Sequence, residues 1–375
     1  MGLDGSVSTS REVSSGLPAV LGRRWWRRGI RPRAAKDGGR SFAITFIVTV
    51  IVAAFLSPLA HSFLTSIKNP EQLVDQNAPL LPSSPRTYTY QGQDVSIYDV
   101  PIPGAGTREL ALIKKGRTSS QFIDPANEAA GPITWQGQWR TLTPSYSLDP
   151  QWQNYTNVWV EIGYPRLLFN TIAIALIGMI GTVVSCTLVA YGFSRFRFRG
   201  RNVLFLAVIA TIFLPAAVTV IPTYTLFAKI GWVGTWLPLL VPAFFANAYD
   251  VFLLRQYFMT IPREMDEAAA IDGAGPFRTL ISVLIPQAWP VIIAVSIFHL
   301  VYSWNDFFAP LIYLSSAPDL QTLPVGLARF SGARVSQDPG LIQAGVLLTM
   351  IIPVILFLVF QRFFVRGIVI TGVER

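Results

Sequence analysis

Apolar residues along this chain gather into six long blocks, at 42–59, 167–191, 203–227, 236–258, 281–302 and 341–364. The hydrocarbon core of a bilayer is about 30 Å thick, and a helix crossing it needs about 20 apolar residues. A soluble protein could absorb six such runs only in a core of unusual size, so the pattern predicts six transmembrane helices. Between the first and second blocks, residues 65–166 hold no span. Short alternating runs occur there instead, such as Thr87-Tyr88-Thr89-Tyr90, Val95-Ser96-Ile97-Tyr98 and Leu110-Ala111-Leu112-Ile113. Turn residues such as Pro103-Gly104-Ala105-Gly106 and Asp124-Pro125-Ala126-Asn127 separate them. Period-two alternation punctuated in this way predicts a small β-rich insert at about 86–143.

Composition agrees with this picture, and charge adds sidedness. Of the 375 residues, 51% are hydrophobic and 14% charged, against about 25% charged in an ordinary soluble domain. The formal charge is +9. Its basic residues crowd the first 40 positions, the loop Arg195, Arg197, Arg199 and Arg201, then Arg255, Arg263 and Arg278, and finally Arg362, Arg366 and Arg375. With six spans all of these fall on one side. By the positive-inside rule that side is cytoplasmic, with both termini, and the β-rich insert is extracytoplasmic. No basic face on a soluble domain points to nucleic acid. The expected location is the bacterial or archaeal cell (inner) membrane, multi-pass. Residues 1–40 read as a basic disordered tail, 41–64 as the first span, retained as a signal anchor, and 65–166 as the outer segment. Residues 167–375 form the core with five further spans.

Chemistry-bearing residues are few. The single cysteine, Cys186, lies inside the second block, so no disulfide framework or zinc site can be built from it. Gly178 and Gly181, with Ala173 and Ala175, suit close helix packing. Pro215, Pro222, Pro238, Pro242, Pro286 and Pro290 interrupt the later blocks, where local bending is expected. Asp250 is an ionisable group within the fourth block and a candidate for the translocation pathway. Asn247, Asn305 and Asp306 are further polar candidates for it. Trp304 suits either stacking on the flat face of a ligand or anchoring at the interface. His61 and His299, lacking relay partners, read as packing or interfacial groups.

Between the fourth and fifth blocks lies Glu267-Ala268-Ala269-Ala270-Ile271-Asp272-Gly273, followed at a fixed interval by Val283-Leu284-Ile285-Pro286. The spacing E-A-A, three residues, G, nine residues, then an aliphatic-x-aliphatic-Pro element resembles the coupling segment of permease subunits of ATP-binding-cassette importers. Asn170-Thr171, the run from Ala190 to Phe196, Trp304-Asn305-Asp306-Phe307 and Thr322-Leu323-Pro324-Val325-Gly326-Leu327 are similar to the carbohydrate-uptake branch, the maltose-type second permease. The resemblance runs from about Trp152 to the C-terminus plus the first span, and omits 86–143 and the basic tail. The physics of the segment, 260–286, suits docking: acidic residues open a helix, alanines give it a narrow face, and Gly273 and Gly275 permit a reversal.

The fold class expected is thus an all-α polytopic membrane protein, six transmembrane helices of the ABC importer permease type, with a small extracytoplasmic β-rich insert. The resemblance implies coupling residues Glu267, Ala268, Ala269, Asp272, Gly273 and Pro286. It implies two ABC ATPase subunits, a second homologous permease and an extracytoplasmic solute-binding protein as partners. No Walker A sequence occurs, and Gly273-Ala274-Gly275 lacks the lysine a phosphate would need. The chain is therefore expected to be no enzyme and to bind no cofactor, with ATP and Mg on the partner ATPases. An importer permease for a sugar is the leading reading. A permease for another small solute, a secondary transporter, or a membrane scaffold with an outer β domain remain open.

Overall fold

The computed structural model describes residues 37–75, 78–102, 106–334 and 338–369. Most of the basic tail predicted at 1–40 lies outside them. Internal contacts divide the chain into two units, Met1–Pro58 and Leu59–Arg375. Helix α1 (Asp37–Ser66) contains the first apolar block, and its stretch Ser41–Ser66 is long and apolar enough to cross a membrane.

Within the second unit, a short helix α2 (Pro70–Val74) opens on Asn69, whose side chain accepts from the Glu71 N–H. Gln72 of this helix is buried and works as a clamp. Its Nε2 donates to the carbonyls of Pro79 and Leu81 at 2.7 and 2.6 Å, and its Oε1 accepts from the Ser83 N–H. The β-rich segment follows: β1 (Ser83–Pro85), β2 (Thr87–Tyr90), β3 (Gln93–Ile102), β4 (Gly106–Lys114), β5 (Ser119–Ile123), β6 (Ile133–Gln136), β7 (Thr143–Pro144) and β8 (Tyr146–Leu148). Strands β2 to β6 pair in sequence order, β7 adds to β3, and β1 pairs with β8. Strand alternation explains why Leu110 to Ile113 is apolar without a break. Leu110 and Leu112 join Val100, Phe122 and Trp135 on one face, while Ala111 and Ile113 join Ile97, Ile123 and Tyr88 on the other. Both faces are covered, so both sets of positions are apolar.

The helical part continues with α3 (Gln153–Glu161), α4 (Tyr164–Arg195), α5 (Arg201–Ala210), α6 (Ala216–Lys229), α7 (Leu237–Leu240) and α8 (Ala248–Thr260). Then come α9 (Glu264–Ile271), α10 (Pro276–Thr279), α11 (Ile285–Asn305), α12 (Phe308–Tyr313), α13 (Leu323–Arg334) and α14 (Pro339–Val369). Five helices among the described residues are long and apolar enough to cross a membrane, or six when one bent pair is counted as a span. That pair is the third apolar block. Its halves meet at 101°, because Pro215 offers no N–H to continue the helix and forces Leu214 to an extended ψ of 118°.

The fourth span is interrupted too. A 3-10 turn (Val241–Phe245) leads to Ala246 at φ 56°, and α8 starts anew behind Asn247. Free backbone groups at such a break must find partners. Ser185 of α4 supplies them, donating to the Ala243 carbonyl and accepting the Ala246 N–H, each at 3.1 Å.

Helix α4 is the centre of this unit. Its second half packs Cys186, Ala190 and Tyr191 against Val251, Leu254 and Phe258 of α8 and against Leu284, Ala288 and Ile292. Near its start Tyr164 and Leu167 pack with Val158, Leu323, Leu341 and Trp304. Small residues allow close approach: a side-chain carbon added at Gly178 would stand 2.7 Å from Nε2 of His299, whose Nδ1 lies 3.0 Å from the Thr182 hydroxyl. His299 is a packing group, held between two residues one turn apart on α4.

Candidate functional site

Helix α9 is built by its sequence. Glu264, Asp266 and Glu267 occupy the first turn, where the helix dipole favours carboxylates, and alanines carry it forward. Its end is a Schellman motif. The Gly273 N–H donates to the Ala270 carbonyl at 3.0 Å and the Ala274 N–H to the Ala269 carbonyl at 2.8 Å. Gly273 itself sits at φ +77°, the left-handed conformation this motif requires at that position and which a side chain would strain.

The helix is fastened on one face and bare on the other. Nε of Arg195, the last residue of α4, stands 3.0 Å from Oδ2 of Asp266, with side chains 8% and 23% exposed. The pair is a close charge contact without an aligned hydrogen bond between those atoms. The Arg195 Nη2 also donates to the Ile261 carbonyl at 3.0 Å, and the Tyr191 hydroxyl to the Pro276 carbonyl at 2.9 Å. Ala269 turns inward and is buried. Glu267, Ala268, Ala270 and Asp272 are exposed, and beside them Ile271 and Phe277 are 87% and 67% exposed. The face available to a partner therefore consists of Glu267, Ala268, Ala270, Ile271 and Asp272. Ala269, expected on it, packs inward because residues one apart on a helix point 100° away from each other.

Beyond Gly275 the chain climbs into α11 through a π-helical turn, Leu280–Leu284. Pro286 explains the widening: its ring would collide with the carbonyl four residues back, at Ser282, in a regular α-helix. Leu280 and Leu284 are buried in the α4–α8 core. Both ends of α9 are thus continuous with, or bonded to, membrane-spanning helices.

The remaining sequence candidates sit elsewhere and engage locally. Asn247 caps α8, accepting the Asp250 N–H at 2.9 Å, and its Nδ2 donates to Oδ2 of Asp250 at 2.6 Å. Asp250 is buried in this reciprocal cap. Trp304 is 8% exposed and lies in the cluster with Leu167 and Leu341, not on an open surface. Asn305 is exposed and bonds back to the Val301 carbonyl at 2.8 Å, and Asp306 accepts from the Ala309 N–H at the start of α12. These residues fall at two places, the start of α8 and the end of α11.

Sequence reading alone missed Arg195, Arg255 and Arg263. Arg255 and Arg263 donate to the Phe193 and Ser194 carbonyls at 3.3 and 3.4 Å, closing the C-terminal turn of α4. It also missed how Asn170 and Thr171 act: Asn170 Nδ2 donates to the Asp319 and Gln321 carbonyls, and the Thr171 hydroxyl accepts the Leu323 N–H. The signal was a set of polar residues on an apolar helix, but not their partners. Among the described residues no group of three or more His, Cys, Asp or Glu could hold a metal ion.

A family model described as "Binding-protein-dependent transport system inner membrane component" matches residues 181–370, which include α9, α11 and the second half of α4. The chain is 35% identical over 213 residues to the sn-glycerol-3-phosphate transport system permease protein UgpE of Agrobacterium fabrum, covering 56% of this chain and 75% of that protein. It is 32% identical over 222 residues to the osmoprotective compounds uptake permease protein GgtD of Synechocystis sp., covering 59% and 74%. To the arabinooligosaccharides transport system permease protein AraQ of Halalkalibacterium halodurans it is 31% identical over 222 residues, covering 59% and 78%. Among solved structures, a chain of a bacterial ABC transporter involved in the import of the acidic polysaccharide alginate superposes with a TM-score of 0.61 at 19% identity. It covers 88% of this chain and 98% of that one, a likeness of fold.

Proposed function

Since the chain belongs to the family of binding-protein-dependent transport system inner membrane components, we propose that it forms half of the translocation pathway of an ATP-binding-cassette importer for a sugar. It is a multi-pass protein of the inner membrane. The observation that carries the mechanism is α9, a short helix bare on one face and tied to α4 through Asp266 and Arg195 and to α11 through Met265 and Gln287. In this reading α9 lies on the cytoplasmic side and enters a groove on a separate ATPase subunit, with Glu267 making a charged contact and Ala268 and Ala270 allowing close approach. Closure of two such ATPases around ATP moves α9. Arg195 and Tyr191 pass that movement to α4, and the π-helical turn passes it to α11.

The broken fourth span supports a role for Val241 to Asp250 along the pathway, since irregular backbone within a membrane is tolerated where it is buried in protein or lines a cavity. Asn247 and Asp250 then act by holding that break in shape. A second homologous permease completes the pathway, and an extracytoplasmic solute-binding protein delivers the solute. Among the relatives, the arabinooligosaccharides permease AraQ supports a sugar, and the sn-glycerol-3-phosphate permease UgpE another small polar solute. The chain itself hydrolyses nothing in this account, and both termini are cytoplasmic.

The test is ATP-driven uptake by the assembled transporter with Glu267→Ala, together with co-purification of the ATPase. Loss of uptake or of the bound ATPase supports the role of Glu267, and undiminished uptake with the ATPase retained removes it. For the outer insert, deletion of 86–143 followed by measurement of binding-protein affinity decides whether it docks that protein. Unchanged affinity in a normally assembled transporter rejects docking.

A further inference from the structure

The ends of three spans meet beside α9 around a cavity that the coupling role does not use. The last turn of α4, the first of α5, the last of α8 and residues 261–264 enclose about 480 Å³. Four guanidinium groups line it, from Arg195, Arg201, Arg255 and Arg263, against one carboxylate, Glu264. Asp266 answers Arg195. Among the described residues the other three arginines enter no ion pair within 4 Å.

These three are held by neutral groups. Arg255 donates to the Phe193 carbonyl, and its guanidinium carbon lies 4.1 Å from the centre of the Phe205 ring. Arg263 donates to the Ser194 carbonyl and Arg201 to the Phe196 carbonyl, each at 3.4 Å. Main-chain carbonyls orient the forks, and the C-terminal dipole of α4 offsets about half an elementary charge. Excess positive charge remains in a partly enclosed space. α5 also starts here, behind Gly200 and with no side-chain cap, so its positive end adds to the same field.

The flanks are apolar. Met259 lines the cavity and is 52% exposed, and Val203 and Leu204 in the first turn of α5 are 71% and 53% exposed. An anion that satisfies this place carries a phosphate for the arginine forks and hydrocarbon for the flank. Basic pockets between membrane helices suit anionic headgroups on these grounds. We propose that this cavity binds the headgroup phosphate of an anionic phospholipid, with Arg201, Arg255 and Arg263 as its ligands. The membrane setting favours a lipid over a free anion.

The full chain, purified in detergent within its transporter, is titrated with phosphatidylglycerol, phosphatidylcholine or inorganic phosphate, reading thermal stability and bound lipid by native mass spectrometry. Phosphatidylglycerol should half-saturate at least tenfold below phosphatidylcholine. Arg201→Gln should weaken it at least threefold and Arg201→Gln/Arg263→Gln at least tenfold, while Arg166→Gln, outside the cavity, leaves it unchanged. Arg255→Gln also removes the contact with Phe205, so Arg201→Gln decides the matter if that variant fails to fold. Equal binding of the two lipids, or undiminished phosphatidylglycerol binding in Arg201→Gln/Arg263→Gln, overturns the proposal. So does inorganic phosphate matching the lipid, or a partner subunit that displaces the lipid and whose own retention depends on these arginines.

Discussion

Asp266 opens α9 and Arg195 closes α4, and the two meet with Nε and Oδ2 3.0 Å apart in a place where the arginine side chain is 8% exposed. That contact makes α9 an extension of a membrane span instead of a free loop. An exposed ion pair contributes little, but a guanidinium this enclosed loses its counter-charge at real cost.

Asp266→Ala should therefore destabilise the protein by about 2–3 kcal/mol, the range for stranding one member of an enclosed pair. Arg195→Ala also frees the Ile261 carbonyl and should cost at least as much. A double-mutant cycle on thermal unfolding checks the pairing, with a coupling energy of about 1 kcal/mol or more expected. Additive single effects would place the stability elsewhere.

Gly273→Ala tests the exit of α9. Nothing stands within 4 Å of an added Cβ, so only the left-handed conformation resists it. A cost of about 1–2 kcal/mol follows, with Gly273→Asn milder. Expression should stay near wild type while ATP-driven uptake falls, and a measured ratio of uptake to ATP hydrolysis shows whether coupling is lost.

Asn170→Ala removes the two hydrogen bonds from its own side chain that hold 319–321 against α4, leaving only the exposed Arg166–Asp319 pair there among the described residues. Asn170 is 4% exposed, so the stranded carbonyls should cost about 2 kcal/mol. Faster hydrogen exchange confined to 319–323 and the start of α13 is the expected signature. Uniform acceleration across the chain would show a different origin.

The β-rich segment should loosen in alkali. Burial, and then the hydrogen bond from its hydroxyl to Oδ2 of Asp75 at 2.7 Å, hold the Tyr146 phenol protonated well above its ordinary range. A raised pKa here means that the fold favours the neutral form. Its contribution is whole below the unfolded value of about 10 and is lost as pH rises through the folded one. Near-ultraviolet dichroism of the strands between pH 8 and 12 checks this, and Tyr146→Phe should flatten that part of the profile.

Sequence carried the helical membrane class because span length is a local property, written in runs of apolar residues. The motif around Glu267 was legible for the same reason: a capped, alanine-rich helix ending at a glycine needs no distant partner to be recognised. What closes across space was not legible. Arg195 reads as one more basic residue of a loop until α9 folds back onto it. Asp250 reads as an ionisable group in a membrane, yet the spacing Asn247-Ala248-Tyr249-Asp250 is also a helix cap, and the cap is what formed. Trp304 could face sugar, lipid or core, and only its contact with Leu167 and Leu341 places it in the core. Pro215 announced a bend in the third span, but not its size of 101°, which follows from the extended backbone that Leu214 takes.

The central claim is that the bare face of α9 meets an ATPase. The direct measurement places a photo-crosslinking amino acid at Ile271, which is 87% exposed, in the assembled transporter, with a second at Lys115 in the β-rich segment for comparison. An adduct is expected between position 271 and the ATPase subunit that position 115 does not give. Adducts from position 271 with the solute-binding protein, or with lipid alone while the ATPase is bound, would contradict it.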